Sequence, residues 1–334
     1  MSERIPLSLL DLVRVREGFD AADALGRAPE TAALVDRLGF GRYWVAEHHN
    51  MESIASAATS VVLAHAGQRT TAIRIGAGGV MLPNHAPYVI AEHYGTLARI
   101  FPGRVDLGLG RAPGTDQTTL RAIRTTWERS QQFPQDVVEL MHWFEPAAEP
   151  GLVRAWPAPG AGVDIWMLGS STFGAALAAE LGLPYAFASH FAPDMLDEAL
   201  ALYRSRFKPS ARLAQPYAMV GCSVVCAETS AEARRLFTTV EQGFCGILRG
   251  DRRLMQPPVD DIESYWRPGE KAQVGRMLAC AAVGDPGEVR AGLEALQART
   301  GADEFMLMCD LYDPAARARS LELTAAAWGL VPRG

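Results

Sequence analysis

Short apolar runs rich in β-branched and aromatic residues alternate along this chain with longer stretches in which Ala and Leu recur at helical spacing. The short runs begin near Ile5, Arg42, Ile73, Val105, Val163, Tyr185, Met219 and Glu304, and each is followed by a segment that reads as helix. That βαβα rhythm is the signature of a parallel sheet with crossover helices. Eight repeats fit a closed α/β barrel, the (β/α)8 TIM barrel, better than an open doubly wound sheet.

The helix assignments have mechanisms. Between Ile54 and Gln68, Ile54, Ala58, Val61, Val62 and His65 recur at steps of three or four, which predicts one buried stripe with His65 on it as a packing residue. His93 shares the stripe of Val89, Ile90, Tyr94 and Leu97 in the same way. Asp285-Pro286-Gly287-Glu288 predicts a helix start with an acidic cap and Pro in the first turn. Two stretches, Arg111 to Trp156 and Glu241 to Lys271, exceed a minimal repeat, so the barrel is expected to carry insertions after strands four and seven. The second reads either as a mobile lid or as an excursion that packs on a partner subunit.

Composition narrows the class. Of 334 residues 49% are hydrophobic, enough for a large core, and 32 basic against 38 acidic side chains give a net charge of -6. There is no Lys/Arg run of five, so no nucleic-acid partner is expected. The start, Met1 to Pro6, lacks the apolar stretch of a signal peptide, and no run of 18 apolar residues occurs, which disfavours secretion and membrane spanning. Five cysteines without a C-x-x-C pair suit a reduced, cytoplasmic protein, with Cys222 and Cys226 as packed small hydrophobes on one face of a strand. Leu330-Val331-Pro332-Arg333-Gly334 matches a thrombin recognition sequence, so residues 1–329 are expected to form a single domain and 330–334 an appended tail.

In a parallel barrel the chemistry gathers at the carboxyl ends of the strands. Those ends hold Glu47-His48-His49-Asn50, Gly78-Gly79 with Asn84-His85, Gly110-Arg111-Ala112-Pro113-Gly114, Gly169-Ser170-Ser171-Thr172, and Ser189-His190. The Gly169 to Thr172 turn leads straight into an Ala-rich helix, Phe173 to Leu181, and makes an anion seat that Arg111 could complete as a fixed donor. No G-x-x-x-x-G-K-[ST] is present, and Pro113 stands where a dinucleotide fingerprint needs glycine, so a phosphate bound here belongs to a cofactor or substrate at the barrel mouth. Glu47, His48, His49, His85 and His190 are of metal-ligating type and could in principle converge. Adjacent histidines point to opposite sides of an extended chain, and strand one, Leu7-Ser8-Leu9-Leu10-Asp11, lacks an H-x-H pair, so no metal is expected. Met81, Trp166, Phe187 and Phe191 suggest a small hydrophobic organic substrate.

Taken together, Tyr43 to Asn50, Ile73 to Pro87, Gly103 to Gly114, Ile165 to Thr172 and Val283 to Val289 resemble the bacterial luciferase-like flavin-dependent monooxygenase family. The most specific parts are E-H-H after strand two, G-A-G-G-V-M-L-P-N-H-A-P at strand three and G-R-V-D-L-G-L-G-R-A-P-G at strand four. The resemblance implies a barrel that binds reduced FMN (FMNH2), delivered by a separate flavin reductase, and reacts it with O2 to a flavin C4a-(hydro)peroxide. It implies a homodimer paired through the early helices. It places the flavin against Gly78-Gly79, where the family often has a non-proline cis peptide, and makes Arg111, Gly169, Ser170 and Ser171 the phosphate contacts. His48 matches the family's catalytic histidine and Glu47 the acid before it, on the cofactor side. Ser189 and His190 match the isoalloxazine or substrate side. Gly110 stands where light-emitting relatives carry cysteine, which argues against light emission. The alternatives are a deazaflavin (F420)-dependent hydride transferase on the same fold and a flavin-binding protein without turnover.

Overall fold

The computed structural model describes residues 4–112, 115–146, 153–251 and 253–333. Pro113 and Gly114 of the strand-four motif lie outside the described residues. Among those described are the strands β1 (Leu7–Asp11), β2 (Arg42–Val45), β3 (Arg74–Met81), β4 (Val105–Gly110), β5 (Asp164–Gly169), β6 (Tyr185–Phe187), β7 (Ala218–Cys226), β8 (Ala282–Gly284) and β9 (Glu304–Met308). The helices are α1 (Ala21–Arg37), α2 (Thr59–Gly67), α3 (Pro87–Ile100), α4 (Gln117–Ala122), α5 (Phe133–Trp143), α6 (Thr172–Leu181), α7 (Leu196–Arg206), α8 (Ser230–Arg249), α9 (Glu270–Met277), α10 (Pro286–Thr300) and α11 (Pro314–Trp328).

Strands β1 to β7 pair in sequence, all parallel, and β9 closes the ring between β7 and β1. The result is a closed eight-stranded (β/α)8 barrel whose strands start where the apolar runs predict. A ninth strand, β8, was not expected. β7 is long enough to pair with β9 through Met219–Ser223 and then with β8 through Val224–Cys226, so β8 adds a short parallel extension outside the barrel.

Alternation along the strands sorts the core into two parts. Leu10, Trp44, Trp166, Met219, Met306 and Met308 fill the barrel interior, with the Trp44 and Trp166 rings edge to face at 5.3 Å. Leu7, Leu9, Tyr43, Val45, Ile75 and Phe187 join the larger cluster that the helices cover. Trp166 and Phe187 are therefore core residues and not part of the mouth. At the opposite end from the mouth the barrel is floored by charge. Arg42 reaches Asp106 at 2.7 Å and Glu304 at 3.1 Å, Arg74 also pairs with Asp106, and Trp44 Nε1 donates to Asp106 at 2.9 Å. Burial disfavours the Arg42 charge, but these two carboxylates outweigh it and hold the guanidinium protonated.

Helix boundaries correct two expectations. α2 starts at Thr59, so its inward series is Val62, Leu63 and Ala66, and Val61 and His65 fall on the solvent side. On α3 the inward series is Ile90, Tyr94, Leu97 and Ala98, leaving Val89 and His93 outside. The capping box at Asp285 and Glu288 forms as expected at the start of α10. All five cysteines are buried and free. The 241–271 stretch is less loop-like than its composition implies. Residues 241–249 are the second half of α8, and Val240, Phe244, Cys245, Val274 and Leu278 form a small core of their own where α8 meets α9. Arg249 ties the two helices through Glu270 at 2.6 Å. Near the chain end the Arg333 backbone N–H donates to Arg37 at 2.8 Å, and its guanidinium pairs with Asp36 at 2.9 Å.

Candidate active site at the barrel mouth

A cavity of about 450 Å³ opens at the carboxyl ends of the strands, under the inner face of α8. Of the residues singled out from sequence, His48, Gly78, Gly79, Arg111, Gly169, Ser170, Ser171 and His190 line it. Glu47 and Ser189 do not.

The floor of the cavity is β3. Gly78-Gly79 is a non-proline cis peptide, and the β3/β4 register shifts between Gly78 and Val80. A Cβ at Gly78 would sit 2.7 Å from Trp44, and one at Gly79 would run into Leu168 and 2.5 Å from the Gly108 carbonyl. Both positions therefore require glycine, and the backbone lies bare toward the cavity. On one wall, Ser171 is the N-cap of α6 and makes no side-chain capping bond, and it lines the cavity together with Gly169, Ser170 and the first-turn residues Phe173 and Gly174. Arg111 stacks its guanidinium on the Phe173 ring at 3.9 Å, which holds the cation beside that helix end.

Glu47 is turned away from the cavity. Its carboxylate is 2% exposed and accepts from His49 Nε2 at 2.7 Å, His85 Nε2 at 2.8 Å and the Met81 backbone N–H at 3.1 Å, while its own N–H donates to the Gly79 carbonyl at 3.1 Å. Burial pushes this carboxyl up, but the two imidazole donors pull it further down, to about 2. Glu47 therefore clamps the strand-three turn from behind and, unlike His48, does not line the cavity where the resemblance implies the cofactor. The cause is strand alternation. Trp44, Ala46 and His48 face the barrel interior, so Glu47 and His49 share the other side.

Ser189 is fully buried, and its hydroxyl donates to the Gly221 carbonyl at 2.7 Å, fixing the strand-six loop on β7. That bond sets up His190. The His190 ring lies over Gly221, where an added Cβ would collide with Nδ1, and Nδ1 has no hydrogen-bond partner among the described residues. An orphaned buried N–H is costlier than an orphaned lone pair, so we assign the proton to Nε2. Burial first, and then the neighbouring His48, push the imidazole down to about 4, so His190 is a neutral donor near pH 7.

The ligand atoms of Glu47, His49 and His85 lie within 4.8 Å of one another, closer than the sequence suggested, but the hydrogen bonds above account for their approach. His48 and His190 sit on the cavity side and do not join them. Sequence reading missed the third wall. Arg14 follows β1, Ser223 lies on β7, Asp310 follows β9, and Thr239, Gly243 and Ile247 come from α8. Arg14 and Asp310 stand just beyond the carboxyl ends of β1 and β9, in segments that carry no motif of their own.

The description that matches this chain by family is luciferase-like monooxygenase, over residues 5–304. A luciferase-like monooxygenase of Escherichia coli (strain K12) is 48% identical over 320 residues, covering 96% of each chain. The apo structure of MsnO8 is 32% identical with a TM-score of 0.87, covering 98% of this chain and 100% of that one. The oxygenating constituent of 3,6-diketocamphane monooxygenase of Pseudomonas putida, a type II Baeyer-Villiger monooxygenase in complex with FMN, shares the fold at 18% identity and a TM-score of 0.72, covering 99% and 100%. On its barrel, its cavity-lining motifs and these likenesses, the chain belongs to the luciferase-like family of flavin-dependent monooxygenases.

Proposed function

We propose that this chain is the oxygenating component of a two-component system. It takes reduced FMN from a separate flavin reductase and uses O2 to oxygenate a largely hydrophobic organic substrate. One observation carries the reading: an anion seat (Arg111, Ser170, Ser171 at the α6 N-terminus), a bare glycine floor and a cavity-facing His48 meet in a single cavity. The residues fit a flavin mononucleotide. The uncapped α6 end and Arg111 suit its phosphate. The side-chain-free Gly78-Gly79 surface suits a flat ring.

Bound there, reduced flavin supplies the electrons with which O2 is activated. The chain's own residues do the rest. Ser170, Ser171 and Arg111 orient the phosphate, Glu47 holds the strand-three turn in shape, and His190 offers a fixed N–H donor. His48 moves the proton at the reacting oxygen. Leu10, Leu12, Met81, Phe244 and Met308 keep the reacting end apolar and exclude water.

The test is anaerobic titration with reduced FMN and, separately, with reduced deazaflavin cofactor. Tight binding of reduced FMN, weakened about 10- to 100-fold by Arg111→Ala, supports the reading. Preference for the deazaflavin would make the chain a hydride transferase instead.

The single-domain, cytoplasmic and homodimeric readings belong to the same proposal. The five free buried cysteines support the second. No described helix is long and apolar enough to cross a membrane. Val61 on α2 and Val89 and Ile100 on α3 are exposed apolar side chains on adjoining early helices and support the third. Light scattering of Val61→Lys/Ile100→Lys should give a monomer where the unmodified protein gives a dimer.

A further inference from the structure

The cavity wall across from the anion seat is polar where the substrate reading alone would have it apolar. β7 and β9 pair with Ser223 beside Met308, and Met308 and Asp310 share a face of the chain leaving β9. Ser223, Met308 and Asp310 all line the cavity. Ser223 is 3% exposed and Asp310 9%, and neither Ser223 Oγ nor Asp310 Oδ1 has a hydrogen-bond partner among the described residues. Arg14 Nε, from the same wall, is likewise buried without a hydrogen-bond partner among the described residues. Buried polar atoms are nearly always paired, and leaving three unpaired there is costly unless something is bound.

Charge indicates what that something is. Arg14 lies 3.6 Å from the other Asp310 oxygen, and its guanidinium rests against Gly243 of α8, where a Cβ would stand 3.4 Å from Nη2. The Arg14–Asp310 pair has no net charge, so the wall favours a neutral group over an ion. Ser223 both donates and accepts, Asp310 Oδ1 accepts when ionised, and Arg14 Nε donates. The matching group is neutral and carries both a donor and an acceptor on one atom.

We propose that Ser223 and Asp310 form a subsite for a hydroxyl group, so that the substrate is an alcohol-bearing apolar molecule rather than a plain hydrocarbon. This rests on reading the same cavity as the flavin and substrate site. The hydroxyl sits at the β7/β9 wall, away from Arg111, and anchors the apolar body over the glycine floor. Ser223 and Asp310 act as specificity residues and touch no reacting atom.

The test measures binding with the FMN-loaded protein, using 1-octanol and its isomer heptyl methyl ether, which keeps the oxygen and loses the donor. Wild type should bind the alcohol about tenfold more tightly, the worth of one net hydrogen bond to a charged partner. Ser223→Ala should fold at least as stably, because it deletes an unpaired buried hydroxyl, yet should cut that preference several-fold. Asp310→Ala should abolish it. Equal binding of the two probes by wild type, no binding of either, or an unchanged preference in Ser223→Ala would each overturn the subsite. Loss of FMN binding by wild type would instead sink the flavin reading, while the alcohol preference, measured without FMN, would survive.

Discussion

Glu47, behind the strand-three turn, and His190, on the cavity wall after β6, each leave their own mark on the pH dependence of stability. Glu47 titrates at about 2 in the fold against an ordinary 4.5, so its contribution is complete above pH 4.5 and is lost as pH falls toward 2. For a side chain this buried the difference amounts to about 3 kcal/mol. His190 is neutral in the fold down to about 4 but protonates near 6.5 when unfolded. The unfolded state then binds more protons, so stability drops as pH falls from 6.5 to 4, by about 3 kcal/mol at most. Denaturant unfolding across pH should therefore show the upper slope flattened in His190→Gln and the lower one in Glu47→Gln. An unchanged slope in either variant contradicts the assignment. At this scale the sequence was partly legible. Alternation separated His48 from His49; carried one residue back, it would also have put Glu47 with His49. That His85 completes the Glu47 network depends on the path of the chain after β3, which no local pattern encodes.

The β3 turn makes a prediction for an element. A methyl at Gly79 has nowhere to go between Leu168 and the Gly108 carbonyl, so Gly79→Ala should destabilise by about 1–3 kcal/mol and weaken flavin binding together. Thermal unfolding and FMN titration check it, and a variant with wild-type values in both would show that the packing there is loose. Elements were legible where a pattern is long. The Ala-rich α6 and the capping box of α10 appear where periodicity and the Asp-Pro-Gly-Glu signal put them. β8 was not, because three residues carry no period and its partner is the overhang of an unusually long β7. The glycines and prolines around residue 250 masked the fact that α8 runs on to Arg249, carried there by packing against α9. α2 was extended too far toward Ile54 because an apolar spacing persists through the loop that precedes it.

For the whole molecule, closure of the barrel rests on contacts that no single segment announces. Arg42, Arg74, Asp106 and Glu304 come from four strands and meet on the barrel floor, with Asp106 fully buried. Arg42→Ala would leave the buried Glu304 without a cation and Asp106 with Arg74 and Trp44 alone, and should cost about 3–5 kcal/mol while leaving the mouth intact. Denaturant titration with FMN binding as control checks this; a loss below 1 kcal/mol would contradict it. The eight strand starts were legible because each strand belongs to a short run rich in apolar residues, and Arg111 and Gly169 to Ser171 were legible as cavity-lining residues because they sit at strand ends. The polar wall of Arg14, Ser223 and Asp310 was not, since those residues are far apart in the chain and only closure brings them to one cavity.

The central claim, that this cavity holds reduced FMN while O2 reacts and that His48 handles the proton, is tested most directly by rapid mixing. Protein loaded anaerobically with one equivalent of reduced FMN is mixed with oxygenated buffer and the flavin absorbance followed in time. The account predicts a delayed return of oxidised flavin in wild type and a changed, pH-shifted delay in His48→Ala at unaltered flavin loading. Reoxidation in a single phase at the rate of free reduced FMN would contradict it.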